Sequence, residues 1–502
     1  MLLIHPPVAK PGEPPAGIAR LAGALLANGV PCRVLDANLE GLLWLMERPA
    51  AAADTWTRRA EKNRPHHLAA LRDPATCRSP DRYARAVSDL NRLLAVAGRE
   101  RGTAIGLADY QQPRFSPLAS ADLLAAAEHP EENPLYPWFS RRLPGLLDGV
   151  ARVGFSLNYL SQAVSTFAMI GWLRKQYPGV TVVLGGGLVT SWIRRPCWRN
   201  PFGGLVDHLV AGPGEGALLA QCGAVVRELQ HVLPAYELFP LRDYLSPGVV
   251  LPYSAAGGCW WNRCSFCPER AEGNAYHPLP AHQALADLRE LTEAHRPALI
   301  HLLDNAVSPA LLRTLANEPP GAPWYGFARF DDHLADPAFC RALRRSGCIM
   351  LKLGLESGDQ GVLDRLRKGI NLSVASRVLE SLRQAGIAVY CYLLFGTPAE
   401  DEAAARRTLD FVARHHEAIQ FLNLAVFNMP AYGDEAGEYG TEPFYEGDLS
   451  LYTAFRHPHG WERKQVRRFL DREFARHPAV AAILRRDPPL FTSNHAPFFA
   501  GR

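Results

Sequence analysis

The stretch Tyr253 to Arg270 reads YSAAGGCWWNRCSFCPER and sets Cys259, Cys264 and Cys267 within nine residues, directly behind an apolar run of strand character. Three thiols on one short loop suit a metal centre. Zinc would need a fourth Cys or His at comparable spacing. The nearest downstream histidines, His277 and His282, stand in a polar, proline-containing segment without paired-ligand spacing. Zinc and inert thiols remain the competing readings. The count favours iron and sulfur, because a four-iron four-sulfur cluster held by three protein thiolates leaves one iron open to a small ligand.

Upstream of this loop the chain reads as a parallel α/β domain over residues 1–225. LLIHPP, GIARLAGALLANG and CRVLDAN give strand, helix and strand. The pattern breaks at about residue 46 and resumes at about 152, leaving a polar, proline-rich, partly helical insertion whose simplest role is a lid or packing excursion. VGFSLNYL, SQAVSTFAMIGWLRKQYPG, VTVVLGGGLVT and DHLVAGPGEGALLAQ then restore the alternation. Strands this uniformly apolar, each followed by a helix, imply a sheet buried on both faces, with ligands beyond the strand C-termini. Those ends hold Ser156, Asn158, Gly185, Gly186 and Glu215. Residues 226–247 carry prolines and little periodicity and read as a linker.

Downstream, strand and helix alternate again over residues 248–430: ALIHLLDN, WYGFARFD, IMLKLGLES, AVYCYLLFG and QFLNLAVF are the strands, and SPALLRTLANE opens on a capping serine. Repeated short units of this kind predict a partial (β/α)6, TIM-like barrel with its chemistry at the strand C-terminal mouth. Arg329 in ARFDD is either a two-pronged carboxylate partner or an ion-pair partner of Asp331 or Asp332. In AVYCYLLFG, alternation sets Val389, Cys391 and Leu393 on one face and Tyr390, Tyr392 and Leu394 on the other. Residues 431–502 read as a small, mostly helical C-terminal region that includes the cationic HGWERKQVRRFLDREFARHP. Its final PPLFTSNHAPFF, with Thr492, Ser493, Asn494 and His495, either folds back over the barrel mouth or docks by its phenylalanines.

Order and motifs together resemble the cobalamin-binding (B12-binding) radical S-adenosylmethionine enzymes. The family spacing of the cysteines is three residues and then two; here four residues, Trp260 to Arg263, separate the first pair, while Cys264-Ser265-Phe266-Cys267 keeps the second half. GLESGDQGVLDRLRKGI and YLLFGTPAEDE match the region where the family holds S-adenosylmethionine. The resemblance implies a 4Fe-4S cluster on Cys259, Cys264 and Cys267. It also implies S-adenosylmethionine contacts from Phe266, Arg329, Glu356, Ser357, Gly396 and Pro398. The family's Gly-Gly-Glu is replaced by LLDNAV, so Asp304 or Asn305 takes over its amino-group contact. Residues 1–45 and 152–225 resemble the cobalamin-binding domain, which implies cobalamin near Ser156, Asn158, Gly185, Gly186 and Glu215. The Asp-x-His-x-x-Gly cobalt-ligand motif is absent, and His208, directly after Asp207, cannot replace it; the resemblance implies a lower axial face without a histidine.

The expected activity is therefore reductive cleavage of S-adenosylmethionine to a deoxyadenosyl radical and cobalamin-dependent methyl transfer to an unactivated carbon of a small molecule, with a flavodoxin or ferredoxin as electron donor. The competing readings are rearrangement or cyclisation without cobalamin, and a non-enzymatic three-cysteine metal-binding protein. A net charge of +4 and the lack of long like-charge runs argue against nucleic acid as a partner. No run of about eighteen apolar residues and no secretory signal is present, so a cytoplasmic protein without membrane contact is expected. In a reducing compartment the other seven cysteines serve as small buried hydrophobes.

Overall fold

The computed structural model describes residues 1–49, 54–196, 198–224, 231–444, 446–488 and 495–500. The chain divides into two units. The first comprises Met1–Val250 with the described residues 446–450; the second comprises Leu251–Phe444, Leu451–Pro488 and 495–500.

In the first unit, β1 (Leu2–His5), α1 (Ala16–Ala27), β2 (Arg33–Asp36) and α2 (Ala37–Glu47) form the opening βαβα run. Gly29 takes the left-handed φ of 71° that lets the chain turn away from α1. Asp36 closes β2 and caps α2: one oxygen accepts from the Leu39 N–H at 2.9 Å, the other from the Tyr244 hydroxyl at 2.6 Å. The insertion is helical, with α3 (Thr55–Arg72), α4 (Pro80–Arg99), α5 (Ser120–Glu128) and α6 (Tyr136–Arg142). Buried Asp89 on α4 ties α3 down, accepting from Trp56 Nε1 at 2.7 Å and lying 3.0 Å from His67 Nε2. The sheet resumes with β3 (Arg152–Ser156), α7 (Leu160–Gln176), β4 (Thr181–Gly185), α8 (Gly187–Ile193), β5 (His208–Leu209) and α9 (Glu215–Gln221).

All pairings of this sheet are parallel, in the order β2-β1-β3-β4-β5, with Ile4 opposite Phe155 and Ser156 opposite Gly185. Leu2, Leu3 and Ile4 are buried in succession, as are Val182, Val183 and Leu184, so helices cover both faces. The strand order reverses between β1 and β3, and the crevice beyond their C-terminal ends is the topological switch point of the sheet.

The second unit is built on β6 (Val250–Tyr253), β7 (Leu299–Leu302), β8 (Trp324–Ala328), β9 (Cys348–Glu356), β10 (Ala388–Phe395) and β11 (Phe421–Val426), neighbours in sequence being neighbours in the sheet. β7 to β11 pair in parallel. Their crossovers are α10 (Ala281–His295), α11 (Pro309–Asn317), α12 (Pro337–Arg345), α13 (Gln360–Arg365), α14 (Leu372–Ala385) and α15 (Glu402–Arg414). Ser308 caps α11 as its position predicts, accepting from the Leu311 N–H at 3.2 Å. Along β10, Val389, Cys391 and Leu393 are buried on one face. The opposite face carries the tyrosines: Tyr392 meets Phe327 of β8 at 5.0 Å and Tyr390 at 4.8 Å.

The C-terminal stretch corrects one expectation and bears on another that the sequence leaves open. It is not mostly helical at its start: Met429–Pro430, Tyr452–Phe455 and Thr441–Pro443 form a three-stranded antiparallel ribbon. Strands of two to four residues leave no periodicity to read. α16 (Arg463–Phe469) continues into a π-helical turn, Leu470–Phe474, and α17 (Pro478–Leu484) follows. The cationic helix buries its apolar side, with Phe469 and Phe474 at 6.3 and 5.2 Å from Phe395. His495 is fully buried between Tyr390 at 4.5 Å and Phe421 at 4.4 Å. These two residues open the β10–β11 register, at the end of the strands opposite Gly396. The described end of the segment, from His495, therefore docks at the strand starts through its aromatics, Phe499 adding a ring contact to Phe421 at 5.7 Å. Thr492, Ser493 and Asn494 lie outside the described residues. Among the described residues no helix is long and apolar enough to cross a membrane.

Candidate functional site

The loop that follows β6 is held in place before any ligand is considered. Gly258 has φ 71°, and a Cβ there would sit 2.9 Å from the Ala275 carbonyl carbon. Asn305 donates to the Gly258 carbonyl at 3.3 Å, and the Ser265 N–H donates to the Leu366 carbonyl at 3.0 Å. The extra residue between the first two cysteines has a local explanation. Asn262 takes a left-handed φ of 42°, a turn that asparagine accepts more cheaply than most residues. Trp261 is thereby carried onto the turn after α13, where its Nε1 donates to the Arg367 carbonyl at 3.1 Å and its ring lies flat against Gly369.

Cys259, Cys264 and Cys267 are free thiols; Cys264 is buried and the other two are half-buried. Burial pushes the Cys267 thiol up to about 11. Burial also raises Cys264, opposed by the charges of Lys368 and Arg329. Arg329 itself is buried. Its guanidinium hydrogen-bonds to Cys264, donates to the Lys368 carbonyl, and lies 4.3 Å from the centre of the Trp261 ring. Of the two readings of this arginine, the ion pair with its neighbours is not formed: Asp331 caps the Leu334 N–H at 3.1 Å and Asp332 lies 3.6 Å from Arg377.

Lys368 pairs with Glu356 at 2.7 Å and stands 5.6 Å from the Phe266 ring. Glu356 ends β9 with φ 66°, and Gly354 leaves room for the pair, since a Cβ there would lie 2.9 Å from Lys368 Nζ. Phe266 packs on Val362, Leu366 and Ala404. Cys264, Phe266, Arg329, Glu356 and Lys368 therefore form one cluster. Asp304 approaches the loop from β7: it accepts from the Ala255 N–H at 3.2 Å, and burial pushes its carboxyl up to about 6. Ser357 is turned away from the loop. It is fully buried, and its hydroxyl lies 3.2 Å from that of Thr408 and accepts from the Asp359 N–H at 3.1 Å. Gly396 takes φ 76° at the end of β10, and its N–H donates to Glu400 at 2.5 Å. Pro398 lines a nearby cleft.

Lys368, Trp261 and Glu400 were not singled out by sequence reasoning. Lys368 and Glu400 lie inside the two motif stretches already quoted, and Trp261 inside the loop, but only their folded neighbours give them a role.

In the first unit, Ser156, Asn158, Gly185 and Gly186 lie together at the ends of β3 and β4. Asn158 donates to Ser156 Oγ at 3.1 Å and accepts from the Gly187 N–H at 2.9 Å. Gly186, with φ 108°, passes so close to Leu157 that a Cβ would lie 2.8 Å from the Leu157 backbone nitrogen. Gln162, fully buried, ties the β1 and β3 ends together by donating to the Pro6 carbonyl at 2.6 Å and accepting from the Asn158 N–H at 2.9 Å. Glu215 is ion-paired with Arg20. His5, at the β1 side of the switch point, was missed: its Nδ1 is buried without a hydrogen-bond partner, and burial lowers its pKa, which keeps it neutral.

These residues suit the groups their motifs imply. The donor set of three thiols on one anchored loop fits a cluster. Among the described residues no three His, Cys, Asp or Glu converge tightly enough for one metal ion. That geometry bears on a one-ion centre and not on a cluster, whose thiolates each take a separate iron. The glycine turn at Gly186 and the orphaned His5 nitrogen fit a polar ligand at the switch point.

Comparison with known proteins bears on both units. Residues 253–412 match the model of the Radical SAM superfamily. The hopanoid C-3 methylase of Methylococcus capsulatus is 24% identical over 275 residues, 48% of this chain and 52% of that protein. The anaerobic magnesium-protoporphyrin IX monomethyl ester cyclase of Synechocystis is 22% identical over 254 residues, 43% of this chain and 50% of that protein. The chain thus spans about half the length of the curated relatives it matches. Among solved structures, the radical S-adenosylmethionine methyltransferase TsrM from Kitasatospora setae, with tryptophan substrate and a SAM analogue bound, aligns with TM-score 0.55. That alignment has 14% identity and covers 97% of this chain and 89% of that one, so the likeness is one of fold.

Proposed function

Taking as premise that residues 253–412 are a radical SAM superfamily domain, we propose that the chain is a cobalamin-dependent radical S-adenosylmethionine methyltransferase acting on an unactivated carbon of a small molecule. In this reading residues 1–225 are the cobalamin-binding domain, 226–247 the linker, 248–430 the partial barrel and 431–502 the C-terminal region. The observation that carries it is the anchored loop with three free thiols at the end of β6, inside the matched segment and preceded by a parallel sheet with a glycine-lined switch point.

Cys259, Cys264 and Cys267 would hold the 4Fe-4S cluster. When bound, the cluster with S-adenosylmethionine supplies a carbon radical able to take a hydrogen atom from an inert C–H bond, and cobalamin supplies the methyl group. The chain's own work is placement and electrostatics. Arg329 and Lys368 set two cations beside Cys264 and offset the charge of the thiolates. Phe266 gives the ligand an apolar wall. Glu356 and Asp304 present carboxyls on two sides of the loop, suited to an amino group; Arg329, once turned from the Lys368 carbonyl, suits a carboxylate. Ser357 acts through the strand end it stiffens, and Gly396 and Pro398 shape the turn after β10. In the first unit Ser156, Asn158, Gly185, Gly186 and Glu215 line or brace the cobalamin crevice. A low-potential protein such as a flavodoxin or ferredoxin would deliver electrons.

The test is anaerobic reconstitution with iron, sulfide and cobalamin, followed by incubation with a low-potential reductant such as dithionite and S-adenosylmethionine labelled in its methyl group. Deoxyadenosine and S-adenosylhomocysteine together support methyl transfer. Deoxyadenosine alone, with no corrinoid retained, overturns the methyltransferase reading in favour of rearrangement or cyclisation. Absence of both products overturns the enzyme reading.

A further inference from the structure

Beside the cysteine loop, wholly within the second unit, lies a cleft of about 470 Å³ whose lining includes Ser265, Arg270, Arg365, Arg367, Glu438 and His459. Its volume lies within the range of small-ligand sites, and its walls combine arginines with apolar residues such as Leu366, Pro398 and Pro458. Three arginines and one carboxylate residue, the exposed Glu438, line it, and Arg270 donates to the Arg263 carbonyl at 3.1 Å. Arg365 donates to the Ala399 carbonyl. The acidic residue that helps close the turn below it, Asp359, is paired with Arg407 and also feels the charge of Arg365. Among the described residues neither Arg365 nor Arg367 is in ion-pair range of a carboxylate.

One further observation points to a ligand. The Ser265 hydroxyl oxygen is buried and has no hydrogen-bond partner, so a donor stands unused in the cleft wall between Cys264 and Cys267. Arg367 follows the end of α13, and its left-handed φ of 52° is the usual turn that closes a helix, with its N–H donating to the Asp364 carbonyl at 3.0 Å and that of Lys368 to the Leu363 carbonyl at 2.9 Å. A cleft lined by three arginines, with an unused hydroxyl in its wall, matches a compact oxyanion, which planar guanidinium groups bind through paired N–H donors.

We propose that this cleft is an anion subsite, taking the carboxylate or phosphate of a small-molecule substrate beside the cysteine loop. The inference rests on the proposed function for the word substrate, but not for the binding itself.

The experiment is isothermal titration calorimetry on the full-length, anaerobically reconstituted protein with inorganic pyrophosphate and, separately, citrate, at low and at moderate salt. Arg367→Gln and Arg365→Gln are titrated alongside, with iron content and melting temperature as folding controls. At least one probe should bind, the stronger one telling phosphate from carboxylate. Binding should weaken about tenfold or more in Arg367→Gln and should weaken as salt rises. Failure of both probes to bind, or unchanged binding in both variants, overturns the proposal. So does loss of the binding when S-adenosylmethionine is present, which would make the cleft part of that ligand's own site. Binding that follows the expected pattern in a protein that does not cleave S-adenosylmethionine would sink the proposed function and leave the subsite standing.

Discussion

Glu400 offers a measurable test of how the turn after β10 is built. Its carboxyl is fully buried, accepts from the Gly396 N–H at 2.5 Å and from Trp461 Nε1 at 3.0 Å, and leaves Oε1 without a partner. Burial pushes its pKa from 4.5 up to about 7. A carboxyl whose pKa is higher in the folded than in the unfolded state favours folding while protonated. That advantage is whole below about pH 4.5 and is lost as pH rises towards 7, because the unfolded chain gives up its proton first. A difference of about 2.5 pKa units corresponds to about 3 kcal/mol, most of it lost between pH 5 and pH 8. Glu400→Gln keeps an oxygen to accept from Gly396 and Trp461 but cannot ionise. Denaturant unfolding of the protein and the variant at pH 5, 6, 7 and 8, followed by tryptophan fluorescence, should show the variant gaining about 2–3 kcal/mol over the parent between pH 5 and pH 8. Two stability profiles that stay parallel across this range would refute the reasoning, since every other titrating group is common to both proteins.

Three further outcomes are expected. Cys264→Ala should leave the anaerobically reconstituted protein short of iron and sulfide, whereas Cys391→Ala, on the buried face of β10, should retain both; elemental analysis and visible absorbance decide. Gly186→Ala combines a φ of 108° with a Cβ pressed against Leu157, and should destabilise by about 3 kcal/mol or more in a denaturant melt, with loss of any bound corrinoid. Gly369→Ala puts a methyl into the Trp261 ring, with Cε2 at 3.0 Å and two nearer ring carbons, on a residue with φ 65°; a cost of about 2–4 kcal/mol and a shifted tryptophan emission are expected.

Much of the scaffold was readable before any coordinates. Apolar strands and 3.6-residue helical periodicity depend on local sequence, and so β1 to β4 and β7 to β11 fall where the runs VGFSLNYL or AVYCYLLFG place them. The cysteine trio was legible because thiol chemistry and spacing survive without a fold. Other residues gained their meaning only from distant neighbours. Trp261 finds its acceptor 106 positions away and Trp461 finds Glu400 61 positions away, separations that no local pattern encodes. Ser357 shows the reverse case: its motif suggests a ligand contact, and only the fold reveals that its hydroxyl is also partnered by Thr408. The ribbon from Met429 to Phe455 escaped because its strands are too short to alternate.

The seat of Trp261 on Gly369 makes two remote features of the chain a matched set. A longer gap between the first cysteines is tolerable when a side chain from that gap can rest on bare backbone elsewhere, and intolerable when that backbone carries a methyl. Searches for further chains with the four-residue gap should therefore ask for a glycine a little over a hundred positions downstream as well. Grafting the wider gap into a chain that lacks this glycine should yield a loop that cannot settle.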